Sequence, residues 1–274
     1  MKRPIAARTA IHLVLVLGAV CMVGPFLWMV LTSLKTMGQS TQVPPILVPW
    51  PLKWSNYADA VGTLPFVQFY LNTTIATMAK TAGQILLCSL AGYSFARLRY
   101  PGRDVLFILT LSLLMVPGQV YLLPQYMIMK WAGWLNSVTA LIVPGLFSAF
   151  GTFLLRQFFL TLPRDVEEAA RIDGANPLQI YWHIALPLAR SAMVALGIYV
   201  AVWSWNDFMW PMIVNDSPAK MTLSAGLASL QGQYGTNYPI LMAGAVLAVW
   251  PMLLLFGFLQ KQFIEGIALT GSKG

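Results

Sequence analysis

The chain has 274 residues, of which 58% are hydrophobic and only 9% are charged, and its mean hydropathy is +0.68. A soluble domain carries about a quarter charged residues, so this composition excludes an ordinary soluble enzyme or binding module. The net charge of +8 could suggest nucleic acid, but in a membrane chain it reflects Lys and Arg kept on the cytoplasmic side. We predict a protein in contact with membrane lipid and no nucleic-acid partner.

Six apolar runs are each long enough to cross roughly 30 Å of hydrocarbon as a helix. In chain order they cover residues 11–32, 71–95, 105–129, 138–160, 191–214 and 239–260. The first run is longer than the apolar core of a signal peptide, and no small-residue cleavage site follows it closely, so we expect it to be retained. We predict an all-α integral membrane protein in which residues 1–274 form a single six-helix transmembrane domain.

Two stretches are expected to depart from straight helices. The third run contains Pro117-Gly118 and Pro124, which should kink or break it before its outer end. Residues 33–68 hold five prolines and two tryptophans, a composition typical of an ordered but irregular external segment. Cys21 and Cys88 each lie inside an apolar run, so we expect them to be small packing residues rather than a disulfide.

The basic residues predict one orientation for the whole chain, with both termini in the cytoplasm. Of the seventeen Lys and Arg, twelve then lie in cytoplasmic segments, four lie outside, and Lys80 lies within the second run. The twelve are Lys2, Arg3, Arg8, Arg97, Arg99, Arg103, Arg156, Arg164, Arg171, Arg190, Lys261 and Lys273. This asymmetry follows the positive-inside rule.

The longest cytoplasmic loop, residues 161–190, carries an unusual concentration of charge. Six of the ten residues from Arg164 to Asp173 are charged. Pro163 suits the first turn of a helix, the carboxylates that follow suit its positive end, and Gly174 suits a left-handed helix stop. The pattern predicts a short capped helix with an acidic tip.

A second short helix is expected directly after the first. Asn176-Pro177 is a capping signal, and Leu186-Pro187 should end the helix. Its apolar residues at i, i+3, i+4 and i+7 spacing should form one face; they are Leu178, Tyr181, Trp182 and Ala185. A solvated hairpin that merely joins two spans is the alternative, although a connector needs only about four to six residues.

The same loop carries a family motif. Glu168-Ala169-Ala170, then Gly174 after three residues, then Ile184-x-Leu186-Pro187 after nine more, resembles the EAA loop of ABC importer permeases at every fixed position. The segments LAGYSFARLRYPG, RQFFLTLPRDVEEAARIDGA and WSWNDFMWPMIV also resemble carbohydrate-uptake permeases of the maltose-transporter smaller-subunit type. The resemblance extends from about the second span to the end of the chain.

This resemblance implies the type I ABC importer permease fold in a prokaryotic inner membrane. It implies a second, similar permease subunit, two copies of a cytoplasmic ATPase and an extracytoplasmic solute-binding protein. The chain would not be an enzyme and would hold no cofactor or metal, since ATP and Mg would belong to the ATPase. The ATPase-coupling residues would be Glu167, Glu168, Ala169, Ala170, Arg171, Asp173, Gly174, Ile184, Leu186 and Pro187.

A candidate solute pathway lies in the fifth run. On one continuous helix Trp203, Asn206, Asp207 and Trp210 would share a face, being spaced i, i+3, i+4 and i+7. Carboxylate and amide oxygens accept hydrogen bonds from sugar hydroxyls, and an indole ring packs against the apolar face of a sugar ring. The alternative is that the tryptophans belong to an interfacial aromatic belt. Lys80 is a further candidate for the pathway. Alternatively, its side chain could extend its ammonium group toward the membrane surface, or it could pack against the sister subunit.

A candidate binding-protein contact lies in the external loop before the last run. In the family that the chain resembles, this loop can reach into the binding protein. The residues concerned are Gln231, Gly232, Gln233, Tyr234 and Gly235. Small and amide-bearing residues equally suit an ordinary flexible loop.

Several functions remain open at this level. The solute would be a small molecule, a sugar or related polyol, with glycerol-3-phosphate or another small polar solute as the alternative. A secondary transporter or channel would use ionisable residues inside its spans, of which this chain offers Lys80 and Asp207. His12 and His183 lack metal-ligand spacing, which disfavours a membrane protease.

Overall fold

The computed structural model describes residues 5–232 and 235–271, and the described chain is mostly helical. The α-helices are α1 (Ile5–Ser33), α2 (Met37–Thr41), α3 (Ser55–Thr63), α4 (Phe66–Arg97), α5 (Arg103–Ser112), α6 (Leu122–Trp131), α7 (Val138–Ile142), α8 (Ala149–Thr161), α9 (Arg164–Ile172), α10 (Pro177–Ile180), α11 (Leu186–Leu188), α12 (Arg190–Trp205), α13 (Met209–Val214), α14 (Leu223–Ala228) and α15 (Tyr238–Gly271).

Short irregular elements interrupt these helices. Single 3₁₀ turns occur at Leu113–Met115, Gly118–Tyr121, Val143–Gly145 and Pro218–Lys220, and a π-helical turn occurs at Tyr181–Ala185. The described strands are β1 (Gln231–Gly232) and β2 (Gly235–Thr236), which pair antiparallel as a hairpin.

Within the described residues, three helices are long and apolar enough to cross a membrane. They are Ile11–Ser33, Phe66–Arg97 and Tyr238–Gln260. Three bent pairs reach such a length when both halves are counted: Arg103–Met115 with Gly118–Trp131 at 99°, Val138–Gly145 with Ala149–Thr161 at 41°, and Pro177–Leu188 with Arg190–Trp205 at 75°. By length and composition the described chain therefore has three spans, or up to six if each bent pair is one span.

The predicted kink in the third apolar run is confirmed. Helical turns end at Met115 and resume at Gly118, on either side of Pro117. Proline lacks an N–H and its ring obstructs the preceding turn, so a helix cannot continue through it without a kink. Further breaks at residues 146–148 and 206–208 were not predicted from the apolar pattern.

The chain divides into two compact units, residues 1–67 with 226–250, and residues 68–225 with 251–274. In the first unit, side-chain hydrogen bonds order the segment that follows α1. The Asn56 amide donates to the backbone carbonyls of Ser33 and Lys35, both at 2.8 Å. The hydroxyls of Ser33 and Tyr57 lie 2.7 Å apart. The expected order of this segment is confirmed, and it includes the short helices α2 and α3.

The core of the second unit joins α4, α8, the helices after α9, and α12. Its fully buried members include Cys88, Leu155, Phe159, Ile180, Tyr181, Ala185, Ala189 and Leu196. Helices α4 and α8 approach closely at Gly92, where an added Cβ would lie 2.9 Å from the Arg156 backbone nitrogen. The packing role expected of Cys88 is confirmed, whereas Cys21 is exposed on α1.

Replacing Gly92 with Ala should loosen the contact between α4 and α8. The new methyl group meets backbone atoms, which cannot rotate away, so we expect destabilisation of about 1 to 3 kcal/mol. Thermal unfolding of the purified chain in detergent would measure it. Gly18 is the matched control, because a Cβ there meets nothing within 4 Å. Equal melting temperatures for the Gly92→Ala and Gly18→Ala variants would contradict the prediction.

Candidate functional site

The predicted acidic helix of residues 161–190 is present as α9, and its ends follow the expected chemistry. Pro163 directly precedes its first residue, Arg164. At the other end Gly174 has a φ of +86°, a left-handed conformation that glycine adopts without strain. The amide of Ala175 donates to the Ala170 carbonyl at 2.9 Å, as in a Schellman closure. The two ends of this helix are therefore explained by local sequence.

The second helix of the loop begins as predicted but continues differently. Asn176 and Gln179 form a reciprocal capping box, with side chain to backbone distances of 2.8 and 2.9 Å. The helix then passes through the π-helical turn, and Leu186-Pro187 does not end it, because helical residues continue to Leu188. The sharp bend of 75° follows at the next residue, Ala189.

The predicted apolar face of this second helix is wrong in two of its four members. Leu178 and Trp182 are exposed, whereas the buried residues are Ile180, Tyr181 and Ala185. A π-turn bonds residue i to i+5 rather than i+4, so an ordinary helical spacing does not predict which side faces the core.

The buried side of the second helix is fastened to α4. The Tyr181 hydroxyl lies 2.7 Å from the Ser89 hydroxyl, and both groups are buried. The rings of Tyr181 and Tyr93 lie 5.4 Å apart. A buried hydrogen bond between hydroxyls fixes this part of the loop more specifically than apolar packing alone.

A buried ion pair fastens α9 to the end of α4. Arg97 Nε lies 2.9 Å from Glu167 Oε1, and the two side chains are only 3% and 5% exposed. Arg97 Nη2 also donates to the Leu162 carbonyl at 2.6 Å. The carboxylate of Glu167 therefore faces into the chain. The sequence grouped Glu167 with residues that would meet a partner, and this placement corrects that grouping.

The other predicted coupling residues lie on or near the surface of the loop. The exposed ones are Glu168, Ala169, Arg171, Asp173, Gly174 and Pro187, and the partly buried ones are Ala170, Ile184 and Leu186. Helix α9 therefore presents Glu168 outward beside small side chains, while its neighbour Glu167 points inward.

A second buried ion pair joins Lys80 of α4 to Asp207. Lys80 Nζ lies 3.2 Å from Asp207 Oδ2, and the side chains are 7% and 11% exposed. The Lys80 side chain passes over Gly145, where an added Cβ would lie 2.8 Å from its Cδ. Gln84 donates to the Gly145 carbonyl at 2.8 Å. The pair thus connects α4 with Asp207 and lies against the turn that precedes the break at residues 146–148.

The continuous helix expected through Trp203 and Trp210 is not formed. Helix α12 ends at Trp205 and α13 begins at Met209, so Asp207 lies in the break. Trp203 is 65% exposed, whereas Trp210 is 7% exposed and donates from Nε1 to the Ala140 carbonyl at 2.9 Å. The prediction that four residues share one face is therefore wrong, and Trp210 belongs to a separate buried cluster with Ala140.

Three of the four residues remain together around a cavity of about 600 Å³. Trp203, Asn206 and Asp207 line it, together with Tyr199 and Phe208. The Asn206 amide is tied to its own helix by donation to the Val202 carbonyl at 2.8 Å. The lining is mainly apolar and aromatic, and its polar groups are the Asn206 amide and the Asp207 carboxylate that is paired with Lys80. Aromatic surfaces, amides and carboxylates are the groups that contact sugars.

The predicted binding-protein contact lies on the β-hairpin. Gln231 pairs with Thr236 and Gly232 pairs with Gly235. Gly235 has a φ of +150°, which an L side chain rarely adopts. Gln233 and Tyr234, which were grouped with these residues, lie outside the described residues.

Both buried ion pairs were missed by the sequence reasoning. Lys80 and Asp207 were recognised separately as ionisable residues in apolar runs, and their opposite signs were the available clue to a pair. A buried charge in an apolar medium requires a counter-charge or a shifted protonation equilibrium. No comparable clue pointed to the pairing of Arg97 and Glu167, since several arginines and carboxylates lie in the segments concerned.

A family model described as "Binding-protein-dependent transport system inner membrane component" matches residues 85–268. The chain is 33% identical over 270 residues to the arabinooligosaccharides transport system permease protein AraQ of Bacillus subtilis, covering 97% of this chain and 96% of the relative. It is 31% identical over 264 residues to the sn-glycerol-3-phosphate transport system permease protein UgpE of Yersinia enterocolitica, covering 93% and 94% of the two chains.

Solved structures share the fold. One chain of a bacterial ABC transporter involved in the import of the acidic polysaccharide alginate superposes with a TM-score of 0.85 at 23% identity, covering 96% of this chain and 99% of that one. A chain from the alginate transporter in complex with a pentasaccharide-bound periplasmic protein gives a TM-score of 0.62 at 13% identity, covering 92% and 93%. The ABC importer permease fold expected from the sequence is confirmed.

The Glu167→Gln variant should lose stability because Arg97 would remain buried without its counter-charge. Breaking a buried ion pair from one side costs about 3 to 5 kcal/mol. Glu168→Gln is the matched control, since Glu168 is exposed on the same helix and should change stability by at most about 0.5 kcal/mol. Thermal unfolding in detergent would compare them. A Glu167 variant as stable as the Glu168 variant would show that the ion pair does not anchor α9.

Proposed function

Because this chain belongs to the family of binding-protein-dependent transport system inner membrane components, we propose that it is the permease subunit of an ATP-driven importer. Residues 161–190 would couple it to a cytoplasmic ATPase. The observation that carries this proposal is the exposed, capped helix α9, fastened to α4 by the ion pair of Arg97 and Glu167.

The contacts between residues 161–190 and α4 support a coupling role. A force applied to α9 passes directly to α4 through a buried ion pair, and the following helix is fixed to α4 through Tyr181. On the exposed side of α9, Ala169 has only a methyl side chain, so a partner surface can approach the helix closely. The exposed carboxylate of Glu168 then supplies a charged contact beside this close approach.

The proposed assembly contains several other chains. The importer would combine this chain with a second, similar permease, two copies of the ATPase and an extracytoplasmic solute-binding protein. ATP and Mg would bind to the ATPase, and this chain would be non-catalytic. The bacterial origin of the relatives AraQ and UgpE supports a prokaryotic inner membrane. The distribution of Lys and Arg supports cytoplasmic termini.

The solute we propose is a neutral sugar or related polyol. The cavity beside the helix break is lined by Trp203, Asn206 and Asp207, and the residues described around it include no cation. The Lys80 ammonium is buried against Asp207 rather than free to hold an anion. This electrostatic balance favours a neutral saccharide over glycerol-3-phosphate, although relatives named for both kinds of solute are similar to the chain.

The hairpin of β1 and β2 is proposed as the contact with the binding protein. Exposed Gln231 offers an amide that both donates and accepts hydrogen bonds, and Gly235 exposes backbone without a side chain.

Reversing the charge of Glu168 should weaken the ATPase while leaving the permease folded. We expect the Glu168→Arg variant to bind the ATPase about tenfold or more weakly, because an attractive contact becomes repulsive. Retention of the ATPase during co-purification and its solute-stimulated hydrolysis would measure the change. Asp216→Arg is the control, since Asp216 is an exposed carboxylate outside the loop. Equal retention in both variants would argue against α9 as the docking element.

Removing the charge of Asp207 should change uptake kinetics if its carboxylate meets the solute. Asp207→Asn alone leaves Lys80 buried without a counter-charge, so a Lys80→Gln/Asp207→Asn double variant is the better test. Loss of a charged hydrogen bond should raise the half-saturating concentration about tenfold.

Comparing these two variants separates a pathway role from a structural one. The proposal expects both to need more solute for half-maximal uptake. If the double variant takes up solute with unchanged kinetics while the single variant fails to assemble, the carboxylate serves only the ion pair.

A further inference from the structure

A basic cavity of about 430 Å³ lies between the end of α4, the start of α5 and helix α9. Its charged lining residues are Arg97, Arg99, Arg103, Arg164, Arg171, Glu167 and Glu168. An adjoining cavity of about 460 Å³ shares Arg99 and Arg103 and reaches Val105. The proposed coupling role does not explain why so many guanidinium groups converge here.

The positive charge of this basic cavity is only partly compensated. Arg97 is paired with Glu167, and Arg103 Nη2 lies 2.8 Å from Asp104 Oδ1. Within the described residues, Arg99 and Arg164 have no carboxylate within 4 Å. Both side chains are therefore available to an anion. Guanidinium groups bind phosphate oxygens through paired, charge-assisted hydrogen bonds, so the chemistry of the cavity suits a phosphate.

The position of the cavity indicates where the phosphate comes from. Arg103 begins α5, and the exposed apolar surface of that helix begins at Val105, continuing through Leu106, Ile108 and Leu109. At 1.5 Å per residue, Arg103 lies only about 3 Å along the helix axis from Val105. The cavity thus opens where a charged surface meets an apolar one, which is the level of lipid headgroups in a bilayer.

We propose that the basic cavity binds the phosphate of an anionic membrane lipid. Arg99 and Arg164 are the main donors, and the acyl chains lie along the exposed apolar side of α5. Basic pockets beside transmembrane helices on the cytoplasmic side hold anionic headgroups in this way. A soluble phosphate would use the arginines but would gain nothing from the adjacent apolar surface. This inference does not depend on the transport proposal.

Native mass spectrometry of the purified full chain, with any subunits that it retains, tests the site. The detergent-solubilised protein is titrated with phosphatidylglycerol and, separately, with phosphatidylcholine. We expect phosphatidylglycerol to bind more tightly, and an Arg99→Gln/Arg164→Gln double variant to bind it at least about tenfold more weakly. A Lys53→Gln/Lys220→Gln double variant is the control, because it removes two exposed cations outside the cavity.

The other outcomes overturn the assignment in distinguishable ways. Equal binding of both lipids, or an equal loss in the two double variants, would mean that no specific headgroup site exists. Displacement of the lipid by an equimolar amount of inorganic phosphate would identify a site for soluble phosphate. Undiminished phosphatidylglycerol binding by the arginine variant, together with loss of the ATPase, would assign the cavity to the ATPase surface.

Discussion

Two buried ion pairs organise the second unit of this chain around α4. Lys80 and Arg97, both on that helix, reach carboxylates on two different segments of the chain. The two basic residues are seventeen positions apart, about 25 Å along the helix axis. One ion pair holds the helix break at Asp207 and the other holds α9 through Glu167. Because one helix carries both contacts, α4 is one physical connection between the candidate solute cavity and the candidate coupling element.

The features that were predicted correctly from the sequence arise from interactions between residues close together in the chain. Proline at the break in the third apolar run, glycine at the end of α9 and the Asn176 capping box each act through their own backbone or that of residues within a few positions. The family motif lies in the same segment, so the position of the candidate coupling helix could be found without a structure. Such features require no knowledge of what packs against them.

What the sequence did not predict depends on tertiary contacts. The arrangement around Asp207 requires Lys80, which is 127 positions earlier. The break itself has a local contribution from Pro211, whose ring obstructs the carbonyl of Asp207, and the spacing argument took no account of it. The spacing of tryptophans suggested one continuous face, but Trp210 hydrogen-bonds to a carbonyl on another helix. The π-turn at Tyr181–Ala185 also changes which residues are buried, and Pro187, whose ring obstructs the carbonyl of His183 within that turn, was interpreted only as a helix end.

Solute uptake into proteoliposomes tests most directly whether the chain works only as part of an ATP-driven complex. The chain would be reconstituted alone and together with its sister permease and ATPase, with the binding protein and a labelled neutral saccharide outside and ATP inside. We expect uptake only when all subunits, the binding protein and ATP are present. Uptake by the chain alone, or driven by an ion gradient without ATP, would contradict the proposal and indicate a secondary transporter.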